Sequence, residues 1–343
     1  MNNTAAIRLS MIEFCVAIGQ DALLVQGAGG NVSWKDGETL WIKASGMCLA
    51  HAKEREIFVP VDLTCLLNAI DQGNFAFKPS ALYGSSLRPS IETMLHALMP
   101  QTIVVHFHAI EVLAYLVRPT WLSDIQERIG DTVTWASIPY KKPGYQLAAR
   151  VSHAVKANGA KNVLFLQNHG IVVGGNNVTD VITTLNKVID ALRTQPIGDY
   201  ATNNVPVKNI GWGYVPVADP KLHQLAQDPN LFVRLKSNWA LYPDHVVFLG
   251  NAAHTYLTLD MFADSVKNSS NLPELVFIKD LGTFILSSFG FAKQAQLRCY
   301  YDVLVRQEIG QSLNTLMPEA VYDIMNWDAE KYRIQLVNVS SNG

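Results

Sequence analysis

Charge is scarce in this sequence. Of its 343 residues only 16% are Asp, Glu, Lys or Arg, against roughly 25% in an average soluble domain. With 49% hydrophobic residues, this excludes long disordered stretches, which need low hydrophobicity and high net charge. Neither sign of charge is in excess. The 27 Lys+Arg and 29 Asp+Glu leave −2, too weak a field to hold a nucleic-acid backbone or an anionic membrane. Cysteine is also rare: Cys15, Cys48, Cys65 and Cys299 are scattered without CxxC spacing. That excludes a disulfide framework and a cysteine-based zinc site, and predicts reduced, buried thiols. No apolar run reaches the ~20 residues of a bilayer-spanning helix; the most apolar window, 103–117, is broken by His106, His108 and Glu111. The opening MNNTAAIRLSMIEF lacks the basic start and apolar stretch of a secretory signal. These absences predict a cytoplasmic protein with no nucleic-acid or membrane partner. The low charge further suggests apolar surface buried between subunits.

The length suggests two domains. Residues 5–24 carry apolar side chains at near-helical spacing, up to Gly27. GAGGNVSWKDGETLWIKASG, 27–46, reads as a glycine-rich turn, a strand, a Lys-Asp-Gly turn and a strand over 39–44. Asp62 is placed to cap a helix over 63–70, and Ser90 to cap the helix IETMLHAL, which Pro100 ends. A strand over 102–107 and helices over 110–116 and 145–157 follow. Then come the strand NVLFLQ, an NHG turn, the strand IVV and a helix from Thr179. Alternating strands and helices predict a layered α/β architecture.

Residues 195–220, dense in Pro, Gly and Asn, read as a linker. This divides the chain into a first domain, 1–205, and a smaller C-terminal α/β region, 206–343. Across the linker, NVLFLQNHGIVV (162–173) and ELVFIKDLGTFI (274–285) share pattern and spacing. Gly170 aligns with Gly282, Asn168 with Asp280 and His169 with Leu281. The C-terminal region is therefore a candidate degenerate repeat of the first; chance likeness of apolar strand–turn–strand units is the alternative. Trp212, Tyr214 and Trp239 are expected mainly in its core.

The histidines are the informative residues. His106 and His108 form an H-x-H pair in the apolar run VVHFHA. Residues i and i+2 of a strand share a face, so both imidazoles point the same way. His169 sits in the NHG turn after a second apolar strand. Three histidines with an open position suit a catalytic zinc. A single buried histidine more often satisfies a backbone hydrogen bond; the pair together with NHG favours the metal. Glu92, just before the H-x-H strand, is either a first-turn carboxylate that suits the helix dipole or an acid/base beside the metal. His96, four residues on, reads as a structural partner. GAGGN lacks GxGxxG and a Walker lysine, so nucleotide binding is unsupported, although its amides could cradle an anion.

The set GAGGNVS, LWIKASG, PSIETMLHALMP, VVHFHA and NHGIVVGG, in this order over 20–195, resembles the class II aldolase/adducin family. WIKASG, PSIETMLH and the tail from YPDHVVFLG to NWDAEKYRIQL resemble its longer bacterial branch with a C-terminal extension. The resemblance implies a three-layer α/β/α sandwich around a mainly antiparallel sheet, assembled as a homo-oligomer, with a tetramer favoured. It implies that His106, His108 and His169 hold Zn2+ or another divalent metal. It makes Glu92 the acid/base and assigns substrate binding to Gly30, Asn31, Ser45, Gly46 and Ser90. Two positions depart from the sugar-phosphate enzymes: Ala28 stands where threonine is common, and Ile91 where a second serine precedes the glutamate.

The expected function is a zinc-dependent, aldolase-type lyase of carbohydrate metabolism. It would cleave or form a C–C bond next to a carbonyl of a sugar, sugar phosphate or hydroxy-keto acid, through an enediolate. Two alternatives are carried. One is a metal-dependent epimerase, dehydratase or decarboxylase, favoured by the two missing hydroxyls. The other is a non-catalytic, adducin-like assembly protein, whose natural signature would be loss of the metal ligands.

Overall fold

A computed structural model describes residues 3–197, 209–269 and 271–340. The first sheet is built from β1 (Asn31–Asp36), β2 (Thr39–Lys43), β3 (Phe58–Asp62), β4 (Ile103–Phe107), β5 (Trp135–Ile138), β6 (Val163–Leu166) and β7 (Gly170–Gly175). Their order is β3-β2-β1-β4-β7-β6-β5. Every pairing is antiparallel except β5 with β6. Alternation along the strands makes two apolar faces. Trp34, Ile103, Val105, Phe107, Phe165 and Ile171 pack under the helices Asn3–Gly19, Ile110–Leu116, Trp121–Ile129 and Val178–Leu192. Leu40, Ile42, Val59, Val104, Leu164 and Val172 pack under Leu63–Asp71, Thr93–Leu98 and Tyr145–Asn158. The result is a three-layer α/β/α sandwich around a mainly antiparallel sheet.

Two helix boundaries depart from the sequence pattern. The first helix stops at Gly19 rather than continuing to 24. A Cβ on Gly19 would lie 2.4 Å from the backbone nitrogen of Ala50. The chain then turns at Asp21, whose carboxylate accepts from the Leu23 amide at 2.8 Å. The helix after Ser90 begins at Thr93. Ser90 Oγ accepts from the Glu92 amide (3.2 Å), and Thr93 Oγ1 donates to the Ser90 carbonyl (2.6 Å). These bonds make a tight turn that leaves Glu92 at the cap. Asp62 caps its helix as expected, accepting from Cys65 N at 2.8 Å.

A second sheet follows, of β8 (Val215–Pro216), β9 (Thr255–Tyr256), β10 (Leu275–Ile278) and β11 (Gly282–Ile285), in the order β8-β11-β10-β9. β9 and β10 are parallel; the other pairs are antiparallel. Order and directions match those of β4-β7-β6-β5. The hairpin turns match in detail. Asn168 and Asp280 have φ of 50° and 61°. The amides of His169 and Leu281 donate to Leu166 and Ile278 at 3.1 and 3.0 Å. His106 lies opposite Val172, and Pro216 opposite Phe284, each partner two residues past its hairpin glycine. The positions of His106, His108 and His169 are thus Pro216, Ala218 and Leu281 in the second sheet.

The expected boundary between residues 205 and 206 lies outside the described residues. The two regions share a core: Ile110, Leu113 and Val117 pack with Leu241, Tyr242, Leu297 and Val303. Glu111 pairs with Arg306 at 3.1 Å, both buried. Asn168 Nδ2 donates to the carbonyls of Leu241 and Asn314, each at 2.8 Å. Tyr214 and Trp239 are buried as expected, but Trp212 is 43% exposed. All four cysteines are free; Cys15 and Cys299 are buried, Cys48 is half-buried, and Cys65 is exposed on its capped helix turn, against expectation. Among the described residues, no helix is long and apolar enough to cross a membrane.

Candidate metal centre

β4 delivers His106 to the face that also carries Val104, and His108 follows one residue past the strand's end. The NHG turn then lays His169 on the pair. This approach requires glycine at 170, where a Cβ would meet the Phe107 carbonyl oxygen at 2.4 Å. The ring centroids stand 4.9 Å (His106–His108), 4.8 Å (His106–His169) and 5.4 Å (His108–His169) apart. One nitrogen from each ring lies within 4.8 Å of the others, and all three residues are buried.

The tautomers follow from the outer contacts. The Ile171 carbonyl accepts at 3.0 Å from His106 Nδ1, which puts the proton on Nδ1 and leaves a lone pair on Nε2. His108 Nδ1 lies 3.3 Å from the Asp244 carboxylate, close enough for its charge to favour a proton there although no aligned hydrogen bond joins them. In that tautomer the Nε2 lone pair faces His106. These two Nε2 atoms are 3.1 Å apart. Two lone pairs so close repel unless a cation or proton lies between them. Tetrahedral zinc, with Zn–N of about 2.0–2.1 Å, sets its nitrogens about 3.3 Å apart. Burial first, then the neighbouring rings, holds His106 well below its ordinary pKa. His169 is lowered to about 3, by burial and then by His108. Neutral imidazoles are the ligand form, so the donor set fits a divalent ion.

Glu92 abuts this cluster. Its Oε2 lies 3.5 Å from His106 Nε2, and its Oε1 3.6 Å from His169 Nε2. Asn31 Nδ2 donates to Oε2 at 2.6 Å, while Oε1 has no hydrogen-bond partner. Burial, with Asp244 second, pushes the carboxyl up to about 8. A proton held near neutral pH is what general acid/base work requires. Asn31 thus reaches the carboxylate of Glu92 as well as the cavity. His96 stays apart from Glu92: its Nδ1 meets Ser33 Oγ at 2.7 Å.

Gly30, Asn31, Ser45, Gly46, Ser90, Glu92, His108 and His169 line one cavity, with His106 buried behind it. Sequence reasoning missed four charged residues in the same wall: Lys43, Asp244, Glu330 and Arg333. Lys43 sits within the quoted WIKASG block. Its Nζ donates to the carbonyls of Ala28 (2.9 Å) and Met47 (2.6 Å), tying the glycine turn to β2. Burial, with Arg333 second, lowers it to about 8. An ordinary lysine in the unfolded chain titrates near 10.4, so between these values the unfolded state binds more protons and stability rises with pH. The wild type should therefore gain about 2 kcal/mol relative to Lys43→Met between pH 7.5 and pH 10. Equal pH slopes in urea titrations of the two proteins would contradict this.

The remaining three come from the C-terminal region. Arg333 binds Asp244 bidentately at 2.7 and 2.8 Å and reaches Glu330 at 3.3 Å. Burial pushes the Asp244 carboxyl up, but Arg333 and His108 outweigh it and hold it well below the usual carboxylate range. The helix Asp328–Ser340 covers the cavity. Its Tyr332 ring lies under the Arg88 guanidinium at 3.9 Å, and Leu336 Cβ stands 3.0 Å from where a Cβ on Gly46 would be.

The family described as Class II Aldolase and Adducin N-terminal domain matches residues 10–195. The L-fuculose phosphate aldolase of Methanococcus maripaludis is 26% identical over 216 residues, covering 59% of this chain and 98% of that protein. The uncharacterized oxidoreductase YuxG of Bacillus subtilis is 25% identical over 226 residues, covering 61% of this chain. The chain spans only 32% of YuxG's length. The N-terminal class II aldolase domain of a conserved Thermoplasma acidophilum protein superposes with a TM-score of 0.46 at 24% identity, covering 53% of this chain and 90% of that one.

Proposed function

The chain belongs to the class II aldolase and adducin family, and we propose that it is a metal-dependent lyase acting next to a carbonyl. Its substrate is a small carbohydrate-like molecule, the bond a C–C bond, and zinc the preferred ion. The observation that carries this reading is the convergence of three buried imidazoles within 4.8 Å, two of their Nε2 atoms 3.1 Å apart, with a partnerless Glu92 oxygen beside them. An adducin-like assembly role would not need to keep these four buried groups together. We also propose a metal-binding first domain, 1–205, and a C-terminal region, 206–343, descended from a partial copy of it. The protein is read as a cytoplasmic homo-oligomer, with a tetramer favoured.

When bound, the ion supplies Lewis acidity for the negative charge that develops as the bond breaks. The rest falls to the chain. His106, His108 and His169 hold the ion. Asn31 fixes Glu92 Oε2, which leaves Oε1 to hold the proton and pass it to or from the reacting carbon. Gly30, Ser45, Gly46 and Ser90 orient the substrate. The helix Asp328–Ser340 shields the site from bulk water, where a charged intermediate would be quenched. Ala28 and Ile91 offer no hydroxyl to a phosphate, and Arg333 in the wall is already held by Asp244 and Glu330. A non-phosphorylated or acid-bearing substrate therefore suits the cavity, and decarboxylation or epimerisation of such a substrate would use the same groups.

The test is a screen of metal-loaded protein against sugar phosphates and hydroxy-keto acids, following aldehyde release with and without chelator. Chelator-sensitive turnover of the acids is expected. Turnover that survives chelation would overturn the metal reading, and turnover confined to phosphorylated substrates would overturn the reading of Ala28 and Ile91.

A further inference from the structure

We infer that Asp244, supplied by the C-terminal region, is the positioning residue that completes the three-histidine site of the first domain. The inference rests on the metal-site reading above and goes beyond it. The two histidines of the H-x-H pair differ in one respect. His106 gives its outer nitrogen to the Ile171 carbonyl on the neighbouring strand β7. His108 lies past the end of β4, and the group that faces its outer nitrogen is Asp244 Oδ2, at 3.3 Å. Asp244 therefore stands behind His108 where a backbone carbonyl stands behind His106, as a charge at ion-pair distance rather than an aligned hydrogen bond. A carboxylate behind a metal-ligating histidine fixes its tautomer and raises its basicity.

Three further features fit this arrangement. Asp244 is 3% exposed, so its charge would be costly without partners. Arg333 grips both oxygens, and Gln296 Nε2 reaches Oδ2 at 3.4 Å. The glycine turn leaves room: a Cβ on Gly29 would stand 3.3 Å from Asp244 Oδ2 and 3.6 Å from His108 Nδ1. Finally, Pro243 starts the helix Pro243–Leu249, so Asp244 occupies its first turn and is held in place by that helix. In this account the second region has no histidine set of its own but orients a ligand of the first.

Two roles must be told apart. As a mere tether for the last helix, Asp244 would act through Arg333 alone, and removing either residue would have the same effect. As a positioning residue, Asp244 acts on His108 directly. The experiment measures zinc affinity by competition with a chromophoric chelator, in full-length wild type, Asp244→Asn and Arg333→Met. The Co2+-loaded proteins are compared by their visible spectra, and the metal-free proteins by thermal melting. Asp244→Asn should lose about 10–100-fold in zinc affinity and shift the cobalt spectrum. Arg333→Met, which keeps the carboxylate on His108, should lose clearly less. If Asp244→Asn does not fold, the double variant Asp244→Asn/Arg333→Gln, which removes both buried charges together, is read in its place with the same expected loss. Wild-type zinc affinity in the aspartate variant overturns the inference, and so does an equal loss in the aspartate and arginine single variants. Wild-type protein that takes up no zinc would overturn the metal-site reading itself, and this inference with it.

Discussion

His106→Ala protein should carry metal only at background level and lose its turnover with it. His106 is fully buried, donates from Nδ1 to the Ile171 carbonyl, and sets Nε2 against His108. Changes behind a ligand alone cost about 10–100-fold in metal affinity, and removing a ligand outright costs more. The variant leaves a cavity and an unpaired carbonyl, so its fold must be checked beside its metal content. Melting does both. An ion at 100 times its dissociation constant stabilises the wild type by about 2.7 kcal/mol, so added zinc should raise the melting temperature of the wild type and leave that of His106→Ala unchanged. Full metal content in a folded variant would show that His106 is not a ligand.

Glu92→Gln should do the opposite: keep the metal and lose the chemistry. Glutamine preserves the shape and can still receive the Asn31 amide, but it cannot exchange a proton. Removing a general acid/base lowers the rate by about 10²–10⁴-fold. The loss should fall on kcat with KM little changed, the sign of an interaction made only in the transition state. Glu92 stands 3.5 and 3.6 Å from two of the histidines, so a ligand role is the rival account. A Glu92→Gln protein depleted of metal would favour that rival, and one with wild-type kcat would remove Glu92 from the mechanism.

Much of the first region was legible because its residues follow local rules. Period-2 alternation put His106 and His108 on one face, and Asp62 announced its helix by capping chemistry. The NHG hairpin turned where its glycine required. The departures have equally local causes. The helix before Gln20 ended early because Gly19 backs onto Ala50, a contact between distant segments that no window of sequence contains. Glu92 moved from a helix turn to the cap because Ser90 and Thr93 bonded across it. Asp244, Glu330 and Arg333 were not legible. They reach the cavity through a shared core around the helix Ile110–Leu116, and nothing in YPDHVVFLG or NWDAEKYRIQL marks a residue that closes on another region.

The central claim is that three neutral imidazoles hold an ion. Elemental analysis of wild-type protein, purified without chelator or metal-affinity resin, tests it most directly. About one divalent ion per chain is expected, zinc foremost, as three buried histidines with an open position imply. A folded protein that stays metal-free after dialysis against zinc, cobalt and manganese would contradict it.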